Sequence, residues 1–118
     1  MLHAKPGISG NTALANALQQ ARDEGLTPQI YCHAIGYHGH AAGPPIGMVD
    51  YQDGVPVRGD YAFHPHTWES IELNVTHPVP EWGGQAVRFA LEEDAALGAD
   101  GKWQWIDGRQ EKFYLITP

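Results

Sequence analysis

Ser70-Ile71-Glu72-Leu73-Asn74-Val75 decides the fold, because its side chains alternate without a break. Ile71, Leu73 and Val75 fall on one face, and Ser70, Glu72 and Asn74 on the other. One apolar row backed by one polar row is the pattern of a strand in an antiparallel sheet covered on a single side. Glu72 therefore faces away from the apolar layer. Downstream, Pro78-Val79-Pro80 and Trp82-Gly83-Gly84 form a connection. Gln85 to Leu91 opens a second strand that continues, with room for a bulge, into Glu92-Glu93-Asp94-Ala95-Ala96-Leu97. Asp100-Gly101 and Asp107-Gly108 are hairpin-type turns, and Trp103 to Ile106 and Lys112 to Ile116 read as short closing strands.

Upstream the period changes. Pro6-Gly7 makes a turn, Ser9 suits a helix N-cap, and Leu14, Ala17, Leu18 and Ala21 repeat at helical spacing until Gly25 stops the run. Asn16, Gln19, Gln20 and Asp23 make the other face polar, which describes an amphipathic helix packed by one side. Thr27 to Tyr31 is a short extended segment. From Gly36 to Pro56 glycine and proline dominate and no period survives, so this stretch reads as a long shaped loop, a kind of segment that is commonly functional. Residues 1–118 thus form a single α+β domain, an N-terminal helix packed on an antiparallel sheet.

Composition narrows the function classes. Fourteen acidic side chains face seven Lys plus Arg, giving a net charge of −7, and the few bases are scattered, which argues against a nucleic-acid partner. A chain of 118 residues buries one core only. The single cysteine, Cys32, cannot build a disulfide framework, and no apolar run approaches the ~20 residues that span a bilayer. The expectation is a cytoplasmic protein with no membrane partner. Seven His, fourteen Gly, nine Pro and four Trp give the composition of a loop-rich site protein.

The densest chemistry lies in Tyr37-His38-Gly39-His40, where neutral imidazoles flanked by glycine suit a metal ion, or else simply bond the loop backbone. His64-Pro65-His66 is a second, stiffer pair. A carboxylate at Glu72, in a strand, is either exposed on an open sheet face or held by a cation. Glu92-Glu93 adds acids on the neighbouring strand. If one of them shares the face of Glu72, their repulsion calls for a metal or a shared proton. One His and two Glu form a donor set for manganese, cobalt, iron or zinc.

The order Gly39-His40-x-x-Gly43, Ser70-Ile71-Glu72, then Val87-Arg88 followed by Glu93-Asp94 resembles the pita-bread metallopeptidases, the group of methionine aminopeptidase, aminopeptidase P, prolidase and creatinase. The likeness is nearest to bacterial Xaa-Pro peptidases. It implies half of a pita-bread fold and a metal held by His40, Glu72 and Glu93, with His38, His64 or His66 as proton shuttle or oxyanion partner. Two departures stand out. Four residues separate Arg88 from Glu93 where the family has one, so Glu92 competes with Glu93. The family's two upstream aspartates have no counterpart, since only Asp23 precedes His40. The resemblance therefore implies the C-terminal half of a catalytic domain, holding one divalent ion, acting on a peptide or small-molecule amide or ester, and covering its open surface by homodimerisation.

Two other readings stay open. One is a non-catalytic remnant serving as a binding or dimerisation module; the other is a small cupin-like metal protein using His64 and His66, although Gly59, His64-Pro65-His66 and Glu69 miss the cupin spacings. A serine nucleophile is disfavoured because Ser9 and Ser70 are the only serines and neither lies in a strand-to-helix turn. Cys32 and His33 are adjacent on an extended segment and point to opposite faces, which favours a structural cysteine over a nucleophile.

Overall fold

One long hairpin organises the protein. A computed structural model describes residues 3–117, with Met1, Leu2 and Pro118 outside the described residues. Helix α1 (Gly10–Asp23) is followed by strands β1 (Thr27–Ile30), β2 (His33–Ala34), β3 (Trp68–Val79), β4 (Gln85–Leu97) and β5 (Trp103–Trp105). All five strands belong to one antiparallel sheet in the order β1-β3-β4-β5, with β2 also paired to β3. The α+β expectation holds at this level.

The β3–β4 hairpin keeps one register from Trp68↔Ala96 to Val79↔Gln85, so the strand runs through Glu92 without the bulge for which the sequence left room. β1 and β2 share a second register on the other edge of β3. Gln29 sits opposite Asn74 and His33 opposite Ser70, and Tyr31 N–H donates to Glu72 C=O at 3.0 Å between them. The two short strands are thus one extended run, interrupted where Cys32 turns its backbone groups to Ile46.

Helix α1 begins as its sequence dictates. Ser9 Oγ accepts from Thr12 N–H at 3.1 Å, filling one of the first-turn donors. Ala13, Leu14 and Leu18 are buried in a core with Ile30, Cys32, Ile46, Phe63 and Leu97, and Ile71 and Leu73 pack against it from the sheet. Gly10 is required where the helix meets the loop, because a Cβ there would overlap the Pro45 carbonyl oxygen. Asn11 ties the loop down from the helix, donating to Val55 C=O at 3.1 Å and accepting from Val55 N–H at 2.7 Å.

The expected closing strand Lys112 to Ile116 is absent. These residues have no regular structure, and Phe113, Tyr114, Leu115 and Ile116 are exposed. Their apolar pattern suits a strand, but they join no ladder: β5 pairs with Ala95–Leu97 and with no later segment. On the apolar side of the sheet, Ile71, Leu73, Leu91, Trp103 and Trp105 line an open hollow of about 570 Å³. No helix among the described residues is long and apolar enough to cross a membrane.

Candidate functional site

The opposite side of the sheet is polar, and two registers assemble it. Side chains alternate along each strand, so residues paired across the ladder share a face. From the edge inward this face carries Gln29, Tyr31 and His33, then Ser70, Glu72 and Asn74, then Arg88, Glu92 and Asp94. His33 is diagonal to Glu72, and its Nε2 lies 2.8 Å from Glu72 Oε1, with both side chains about three-quarters buried. On its other nitrogen, His33 Nδ1 lies 3.1 Å from Ala34 C=O. Both ring nitrogens thus face oxygen acceptors, so Nε2–H donates to Glu72 Oε1, and a cation would take the place of that proton between imidazole and carboxylate.

Glu72 faces Glu92 directly across the hairpin, and Ser70 Oγ donates to Glu92 Oε1 at 3.3 Å. Further along the same face, Asn74 in its satisfied amide orientation accepts from Arg88 Nη2 at 2.9 Å, while Arg88 also donates to Tyr31 Oη at 3.3 Å. One cation and several acids thus share an open surface.

The positions expected from the sequence separate into two groups. Glu72 lies on the polar face, as the alternation requires. Glu93 does not join it: it pairs with Ile71, projects to the apolar side, and accepts from Gln110 N–H at 2.8 Å. The hairpin register sets Glu72 against Glu92, so strand parity overrides the family-based match to Glu93. His40 is not in contact with Glu72; it stacks on His33, ring centroids 4.1 Å apart at 15°, and is exposed. His38 is exposed in the same loop, edge-on to Tyr37 at 5.0 Å. His64 and His66 lie in the turn entering β3, where His66 N–H donates to Leu97 C=O at 2.7 Å, five or more residues from Glu72. The expected trio of His40, Glu72 and Glu93 is therefore not assembled. Among the described residues no three His, Cys, Asp or Glu side chains are already grouped as a metal cage.

Sequence reasoning misses the place of two residues. His33 stands in it only as the neighbour of Cys32, with the extended segment ending at Tyr31. The alternation Ile30, Cys32, Ala34 against Gln29, Tyr31, His33 continues two residues further and puts His33 among the polar groups. Glu69 is the other. It lies on the apolar side between Ala34 and Ala95, fully buried, with no hydrogen-bond partner for either carboxylate oxygen. Burial pushes its carboxyl up to about 8. Cys32 is structural: it is buried, its Sγ donates to Glu72 C=O at 3.4 Å, and burial pushes the thiol up to about 12.

Compared with protein-family models, curated proteins and solved structures, the chain matches none.

Proposed function

We propose that the polar face is the metal-holding surface of a cytoplasmic hydrolase that acts on amide or ester bonds, and that the fold is half of a pita-bread domain. The observation that carries this reading is the His33 Nε2 to Glu72 Oε1 contact at 2.8 Å on a face shared with Glu92. An imidazole beside two carboxylates, once Nε2 gives up its proton, is a donor set that fits manganese, iron, cobalt or zinc. His33, Glu72 and Glu92 would hold the ion, in place of the trio His40, Glu72 and Glu93. When bound, such an ion lowers the pKa of a coordinated water and polarises a carbonyl oxygen.

The protein's own groups supply orientation. The Ala34 carbonyl fixes the His33 ring, and the Ser70 hydroxyl holds Glu92 on the face. His40, stacked on His33 and exposed, stands at the edge of the surface as the proton-transfer group, with His38 beside it in the loop. The strands give a flat bed on which a peptide or small ester can lie.

A second reading, a binding module without catalysis, is favoured by Glu92 bonding Ser70 instead of joining the His33–Glu72 pair. A hydrolysis screen over peptide and ester substrates separates the two. Activity that disappears with a chelator, returns with added metal and is lost in Glu72→Ala supports the hydrolase. Activity retained through chelation and in Glu72→Ala contradicts it, and a metal-loaded but inert protein selects the binding module.

A further inference from the structure

We propose that the outer edge of β4 is a self-complementary dimerisation strand, which joins the same strand of a second copy antiparallel about a two-fold axis at Ala90. One edge of β4 is used by β3 along its whole length, while the other meets β5 only over Ala95–Leu97. Ile106 N–H donates to Asp94 C=O at 2.9 Å, so the even-numbered residues of β4 turn their backbone groups away from β3. Ala86, Arg88, Ala90 and Glu92 therefore present N–H and C=O groups that have no backbone partner among the described residues. A row of this kind is a template for another strand.

The side chains choose the partner and the register. Since the outward groups are all even-numbered, a two-fold antiparallel partner must pair even with even. Centring on Ala90 places Arg88 opposite the partner's Glu92 and Phe89 opposite the partner's Leu91, each twice because the interface is isologous. Phe89 is 40% and Leu91 59% exposed, so both have surface to give to such a contact. Moving the axis to Phe89 sets Arg88 against alanine and leaves the acids unpaired. Moving it to Leu91 pairs Arg88 with Asp94 but sets Phe89 against Glu93, and it needs the Asp94 carbonyl that Ile106 already holds. Only the Ala90 register matches charge with charge and apolar with apolar. The resulting ladder from Arg88 to Glu92 lies clear of β5.

This inference does not rest on the metal reading, because its readout is the state of association. Sedimentation velocity on the full chain is expected to show a reversible dimer. Arg88→Glu and Glu92→Arg each place like charges across the axis twice, and each is expected to weaken dimerisation by roughly tenfold or more. Mixing these two variants restores opposite charges at all four positions, and a heterodimer is expected. Ala90→Pro removes an outward N–H that the monomer does not use, and should leave a folded monomer. Should that variant fail to fold, the charge-reversal pair still decides the matter. A monomeric wild type over a wide concentration range overturns the proposal. So does a dimer that survives both reversals, or a mixture that fails to associate.

Discussion

Glu69 is held where a carboxylate is least at home. It is fully buried between two alanines, with neither oxygen hydrogen-bonded, and a side chain on Gly43 would close the remaining space above Ala34. Burial raises its pKa from the ordinary 4.5 to about 8, so the folded protein holds the proton at neutral pH while the unfolded chain has lost it. Stability from this group is fully present below about pH 4.5 and declines as pH rises through 8, by on the order of 5 kcal/mol in all. Cys32, pushed up to about 12, stays neutral throughout that window. Urea unfolding between pH 4.5 and pH 9 is expected to show this decline in the wild type and a flatter profile in Glu69→Gln. An unchanged slope in the variant would assign the pH dependence elsewhere. Strand parity sets Glu69 on the side of Ile71 and Leu73, but a polar residue at the start of a strand reads as exposed until the packing of Gly43 and Ala34 is known.

At the scale of elements, the contact between α1 and the Pro44–Gly47 loop holds the edge of the sheet. Ala is a better helix former than Gly by about 1 kcal/mol, so propensity alone would make Gly10→Ala stabilising. The overlap with the Pro45 carbonyl reverses that sign, and thermal unfolding of Gly10→Ala is expected to show a loss of roughly 1–3 kcal/mol, the range typical of overpacking. A stabilised variant would mean that the loop yields freely. The elements differ in how far their sequence announced them. β3 was legible because its alternation is unbroken, and α1 because cap, period and stop agree. Continuity from β1 into β2 is present in the alternation up to Ala34, whereas the turn of the Cys32 backbone toward Ile46 has no signal in the sequence. The pair Glu92-Glu93 cannot be resolved by composition at all, since only the hairpin register, fixed by where the turn falls, says which acid faces Glu72. Lys112 to Ile116 carries a strand-like pattern but lies in no strand of the described fold.

Across the whole molecule, the sheet divides its labour between two faces. One packs α1 and the core; the other gathers His33, Glu72, Glu92 and their supports on an open, acidic surface within a chain of net charge −7. On the proposed reading, the acidic face favours a cation over an anion, and the partly buried imidazole of His33 marks where that cation would sit. The most direct measurement is calorimetric titration of the chelator-treated protein with manganese, cobalt or zinc. The wild type is expected to bind one ion. His33→Ala and Glu72→Ala should weaken binding by about tenfold to a hundredfold or abolish it, with Glu92→Ala weakening it as well. Glu93→Ala should leave it unchanged. Binding that survives His33→Ala and Glu72→Ala, or that depends on Glu93 and not on Glu92, would contradict the assignment of this face.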